Sequence, residues 1–176
     1  LSGSASATGR QGGDISLTAP ELTLTETRLD ASGTHAGGRI RVGGGWQGKD
    51  ADLANALRTR LVASELDVSA TQNGNGGTAV VWSESETLFG GHIVARGGAQ
   101  GGNGGQVEVS SHDQLGFGGL VDAHAPQGEN GHLLLDPKNL EIVASVSAIN
   151  VLSLPDPSPS ASEGFGSATA NVAELK

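Results

Sequence analysis

Five times along the chain a glycine, in four cases a pair, opens a short run in which apolar residues alternate with others. The runs are GGDISL from Gly12, GGRIRV from Gly37, GGTAVVW from Gly76, GGQVEV from Gly104 and GHLLL from Gly131. Their starts lie 25, 39, 28 and 27 residues apart, so three spacings share one unit length and the second carries about twelve extra residues. Alternation places Ile15 and Leu17, Ile40 and Val42, Ala79 and Val81, Val107 and Val109, and Leu133 and Leu135 on one face of a strand. A second run recurs inside the unit as TRLDAS, SELDVS, GHIVAR and GLVDAH. It aligns Leu29, Leu66, Ile93 and Val121 in one inward column and Ala31, Val68, Ala95 and Ala123 in the next. Phe89 and Phe117 fall in register as well.

Units of this length with short strands and Gly/Asn corners match one coil of a parallel β-helix, in which like strands stack about 4.8 Å apart. Five starts make a rod roughly 25 Å long. The expected fold is therefore all-β, a parallel β-solenoid, with Gly and Asn supplying positive φ at the corners. An antiparallel sandwich also has many short strands, but it does not require units of like length and register. A glycine-rich disordered tract would lack aligned aliphatic columns. Aromatics at 3 % and the absence of Met suit thin stacked layers better than a bulky core.

The coils are expected over residues 1–143. An insertion at about 43–64, GGGWQGKDADLANALRTRLVAS, interrupts them as an inserted loop or short helix. Leu53, Ala56, Leu57 and Leu61 have helical spacing, and Asp50 or Asp52 is placed to cap. Trp46 is expected to pin the base of the insertion. The segment reads either as cover for an apolar flank or as a surface-binding loop carried by Trp46, Gln47, Lys49 and Asp50. Residues 144–176 read as a terminal strand remnant and a Pro/Ser/Gly-rich connector, with Leu140, Ile142 and Val146 able to continue one strand. The chain opens on Leu1 rather than Met, which suggests an excised piece of a longer protein.

The net charge of −9 argues against nucleic acid or anionic membrane as partners, and no run approaches the length of a spanning helix. Without cysteine there is no disulfide scaffold, thiolate metal site or Cys nucleophile. GGNGGQ lacks the Lys and hydroxyl of a phosphate loop and leads into a strand rather than a helix. The Gly/Asn corners lack the ligand Asp of calcium-binding rolls, although Asp113, Asp122 and Asp136 have no assigned role. The outward column Ser16, Arg41, Val80, Glu108, Leu134 holds no two neighbouring carboxylates, so it reads as solvated surface rather than a catalytic groove. His35, His92, His112, His124 and His132 form no ligand-spaced pair. Catalytic, cofactor and metal residues are therefore expected to be absent.

With the repeat in view, GGRIRVGGGWQGKDADLANA, NGGTAVVWSESETLFGGHIVARGGAQGGNGGQVEVSS and GLVDAHAPQGENGHLLLDPKNLEIV resemble the repeat region of filamentous-haemagglutinin-like exoproteins. These are the large secreted partners of two-partner secretion systems in Gram-negative bacteria. The resemblance covers roughly residues 12–143. It implies a right-handed parallel β-helix, a secreted or cell-surface location, export through an outer-membrane transporter barrel, and a role in adhesion, aggregation or biofilm. A surface glycan or protein is the implied binding partner, without membrane insertion. The family has no catalytic residues in these repeats, so none carry over. The wording does not match the family's N-terminal secretion domain, which implies an interior or late segment whose transporter is engaged through a region outside this chain. Two alternatives stay open: a carbohydrate-binding or polysaccharide-cleaving β-helix, and the stalk of a contact-dependent toxin-delivery protein.

Overall fold

A computed structural model describes residues 1–142 and the strand Ala168–Asn171. The expected connector and Val146 lie outside the described residues. Strands β1 (Gly3–Ser6), β2 (Gly9–Gln11) and β3 (Asp14–Leu17) lead into β4 (Glu21–Thr25), β5 (Thr27–Asp30) and β6 (Gly33–Ala36). Next come β7 (Arg39–Val42), β8 (Arg58–Asp67), β9 (Thr78–Val81), β10 (Glu86–Val94) and β11 (Gln106–Val109). The path ends with β12 (Gln114–Phe117), β13 (Leu120–Asp122), β14 (His132–Leu135), β15 (Asn139–Ile142) and β16 (Ala168–Asn171).

The glycine-led strands form one parallel sheet in the order β3-β7-β9-β11-β14, with β16 antiparallel on the free edge of β14. A second parallel sheet runs β1-β5-β8-β10-β12-β15, with β4 also on β8 and β13 also on β10. A third side is only the pair β2-β6, extended by a bridge from Gly33 to Ala70. Apart from β16, every described strand thus pairs in parallel with its counterpart one unit away, and the chain is the expected β-solenoid.

Register follows the sequence columns. Ile15, Ile40, Ala79, Val107 and Leu133 are consecutive partners across the first sheet. In the second sheet Leu29 pairs with Leu66, Leu66 with Ile93, and Ile93 with Val121. Ala31, Val68, Ala95 and Ala123 are all fully buried. Phe89 stands opposite Phe117 with ring centroids 5.3 Å apart, a tilted stack inside the core. Asp30, Asp67 and Asp122 close the second strands by accepting the backbone N–H two residues on, from Ser32, Ser69 and His124.

The glycine pairs owe their identity to crowding rather than to the left-handed conformation expected at corners. Among the described residues the positive-φ glycines are Gly3, Gly43, Gly48, Gly74, Gly101 and Gly102, none of them in a repeat pair. In a pair, the second glycine donates to the carbonyl of the inward small residue before the corner: Gly38 to Ala31 at 2.8 Å, Gly77 to Val68 at 2.7 Å, Gly105 to Ala95 at 2.7 Å. The same glycine lies flat against the coil before. A Cβ on Gly77 would stand 1.9 Å from the Gly38 carbonyl oxygen, and one on Gly105 2.2 Å from that of Gly77. Backbone meets backbone there, so only glycine fits. Asparagines knit the same corner just before the pairs, where Asn75 Oδ1 accepts from Asn103 N–H and Asn103 Oδ1 from Glu129 N–H.

The excursion from the coil path occupies residues 43–57 and contains no α-helix. A 3-10 turn at Trp46–Gly48 and a single turn closed by Leu53 N–H on the Asp50 carbonyl are its only regular features. The helical spacing fails because Arg58 onward is recruited into β8, a ten-residue strand paired on both sides, which takes Leu61 into the core. Non-local pairing overrides the weak local preference. Ala56 N–H returns to the Gly43 carbonyl at 2.6 Å and closes the loop at its neck.

Candidate functional site

The loop folds back over the outer face of the glycine-led sheet, and this contact is the most individual surface of the molecule. Ser16, Arg41, Val80, Glu108 and Leu134 do occupy one outward column. From Val80 onward it is not solvated: Val80 is 1 % exposed, Glu108 0 % and Leu134 9 %. The expectation of open surface at Glu108 is therefore overturned. The loop leaves β7, passes over β9 and reaches β11 two rungs away, about 10 Å along the rod.

Three kinds of contact hold it. Trp82, one alternation beyond Val80, lies beneath the loop, and a Cβ on Gly48 would come within 2.4 Å of its ring. Gly48 is thus compelled twice over, by the ring below it and by its φ of 65°. Arg41 pairs with Asp50 at 2.5 Å, and Asn55 Nδ2 donates to the Gly48 carbonyl at 2.9 Å and to Glu84 Oε1 at 3.0 Å. Finally, Gln47 N–H donates to Glu108 Oε2 at 2.7 Å. Gln47 adopts the left-handed conformation, φ 53° and ψ 25°, which costs a non-glycine residue about 1–2 kcal/mol. That conformation belongs to the turn that aims its N–H at the carboxyl group.

Glu108 Oε1 and Asn55 Oδ1 are buried without a hydrogen-bond partner among the described residues. Burial pushes the Glu108 carboxyl up to about 7; the Gln47 N–H and the nearby Ser110 hydroxyl draw it down, Asp136 raises it further, and the Lys49 ammonium lowers it.

Of the four residues expected to form a surface-binding loop, Asp50 is committed to Arg41 and the Gln47 backbone to Glu108, while Lys49 Nζ donates to Gln47 Oε1 at 2.9 Å. Trp46 remains 36 % exposed on the outside of the loop. Trp82, Asn55 and Glu108 were not singled out from sequence as parts of this arrangement. The available signal was the column itself, in which apolar Val80 and Leu134 flank Glu108 on a face that should have been polar. Among the described residues no group of three His, Asp or Glu is placed to hold a metal ion, and no helix is long and apolar enough to cross a membrane.

No family model and no curated protein matches the chain. Among solved structures, the crystal structure of the HMW1 secretion domain from Haemophilus influenzae matches with a TM-score of 0.60 and 31 % identity. The chain is similar to this secretion domain. The match covers 73 % of this chain and 36 % of that one, so the chain spans about a third of the domain's length. Likeness to a secretion domain runs against the sequence expectation of an interior segment unlike one. The physical reason is that the coils of a solenoid share one inward ladder, so the wording of a coil carries little about which part of an exoprotein it resembles.

Proposed function

We propose that this chain is a structural, non-catalytic stretch of a secreted bacterial exoprotein of the filamentous-haemagglutinin-like kind, exported through an outer-membrane transporter barrel and presenting its flank for adhesion or aggregation. The observation that carries the reading is the likeness, in fold and at 31 % identity, to the HMW1 secretion domain. The wording of the repeats, which resembles that of the exoprotein family, supports it independently. The physics of the rod suits export: each coil rests on the one before, so an unfolded chain can order progressively once outside, without disulfides.

The flanks support a non-catalytic role. Four of the outward basic residues are each taken up by a carboxylate, Arg39 with Asp14 at 3.6 Å, Arg58 with Glu21 at 3.0 Å, Arg96 with Asp122 at 2.5 Å and Lys138 with Asp113 at 3.1 Å. Glycoside-cleaving chemistry needs two carboxyl groups facing one bond, and Glu108 stands under a loop with no carboxylate beside it in register.

Deleting residues 12–142 from the parent protein, in a strain that keeps its transporter, should reduce cell-to-cell aggregation and the amount of protein at the surface. Unchanged aggregation and surface display would refute the adhesive reading. Incubation of the chain with a panel of polysaccharides and calcium should release no reducing or unsaturated ends. Release that disappears in Glu108→Gln would establish the enzymatic alternative instead.

A further inference from the structure

The outer face under the loop does not suit water. Val80 and Trp82 point away from the coil interior yet are buried, because residues 43–57 fold back over β9 between their ties to Arg41 and Glu108. Glu108 sits beside this strip, with one oxygen on the Gln47 N–H and the other without a hydrogen-bond partner among the described residues. The cover has left-handed joints at Gly43, Gln47 and Gly48, with φ of 81°, 53° and 65°. It is tied down by few polar contacts, each remakeable with water.

Every element around Glu108 can be inspected for charge. Its register neighbours Val80 of β9 and Leu134 of β14 are neutral. Asp136, just beyond β14, opposes ionisation, and Lys49 of the loop favours it while its ammonium bonds Gln47 Oε1. Arg41 of β7 is taken by Asp50, and Glu84, beyond β9, by Asn55. A carboxylate here has the Gln47 N–H and the nearby Ser110 hydroxyl, and among the described residues no cation forms an ion pair with it. The protonated acid tolerates this enclosure, whereas the ionised form requires water, which enters only when the loop lifts.

We propose that residues 43–57 form a pH-operated cover, closed while Glu108 keeps its proton and released when it ionises, so that the apolar strip of Val80 and Trp82 is bared on the flank of the rod. The raised acidity range of the buried carboxyl, about 7, places the change near neutrality.

Trp82 lies under the cover and Trp46 on top of it, so a Trp46→Phe variant makes Trp82 the sole reporter. Acrylamide quenching of Trp82 should rise at least threefold between about pH 5.5 and 8.5 with a midpoint near 7, while far-ultraviolet circular dichroism stays constant. Adding Glu108→Gln should abolish the rise and leave Trp82 protected throughout. A Trp82 equally protected at both ends of the range overturns the proposal. So does a rise that survives Glu108→Gln with the same midpoint, since the histidines would then drive it. Should Glu108→Gln not fold, amide exchange at Gln47 in the unaltered protein decides. A protection factor that falls above about pH 7 supports the cover, and a constant one refutes it.

Discussion

Gly77→Ala is the sharpest test of what the repeat glycines do. The new methyl carbon would stand 1.9 Å from the Gly38 carbonyl oxygen, with Gly37 and Gly38 carbonyl carbons at 2.8 and 2.9 Å. Real Cβ atoms essentially never come closer than 3.0 Å, so the two coils must part by more than about 1 Å, against a rung spacing of about 4.8 Å. The bonds at risk are Gly77 N–H to the Val68 carbonyl at 2.7 Å and Thr78 N–H to the Gly38 carbonyl at 2.9 Å. Each buried backbone group left unpaired costs about 1–3 kcal/mol, and loosened contacts beneath Ala79 and Val81 add to that, so a loss of about 3–5 kcal/mol is expected. Gly13→Ala is the matched control. It occupies the same place in the first pair, but its Cβ would meet only the Ala7 side chain at 3.1 Å and carbonyl at 3.2 Å. A small local adjustment should keep its cost below about 1 kcal/mol, partly offset by the stiffer unfolded chain. Urea unfolding followed by circular dichroism measures both. Gly77→Asn should be as damaging as Gly77→Ala, because asparagine relieves a left-handed backbone but not a collision. If Gly77→Asn behaves like wild type, or if Gly13→Ala and Gly77→Ala cost the same, the close-approach account is wrong.

Val107→Asp places a carboxylate in the fully buried inward column between Ala79 and Leu133, and should cost several kcal/mol in urea midpoint experiments; near-wild-type stability would mean that the inward and outward assignments are reversed. Stability should also depend on pH through Glu108. Its folded-state value is raised from 4.5 to about 7, so between these values the native chain holds a proton that the unfolded chain has released. The associated stability is fully present below about pH 4.5 and is lost as pH rises through about 7, by up to about 3 kcal/mol and capped by the work of lifting the loop. The urea midpoint should fall over this window in wild type and stay flat in Glu108→Gln; a midpoint that rises with pH refutes the assignment.

The coil path was legible because its signal is repeated. Ile40 alone could belong to any strand, but Ile40 in step with Ile15, Ala79, Val107 and Leu133 leaves one arrangement, and Phe89 with Phe117 fixes it again a half-coil later. The loop has no echo elsewhere in the chain, and there the reading went astray. Its spacing suggested a helix, but Leu61 gains more by joining β8 between its neighbours than by closing a helical face. Glu108 looked solvated because alternation reveals which way a side chain points, not what lies beyond it. Positive φ does occur at the corners, at Gly74, Gly101 and Gly102, but the repeat pairs beside them are glycine for another reason, since crowding from a neighbouring coil leaves the same letter as a left-handed turn.

A rod of stacked coils is expected to fray from its end, each rung leaving once the one outside it has gone. The loop changes that order, because it starts beside β7 and is bonded to Glu108 of β11, with β9 enclosed between them. Peeling from the β15 end can take away β14 without touching this tie, but removing β11 must also uncover Trp82 and free the loop. Three rungs are therefore stapled into one mechanical unit, and a pull along the rod should meet a single large step there instead of a run of small ones.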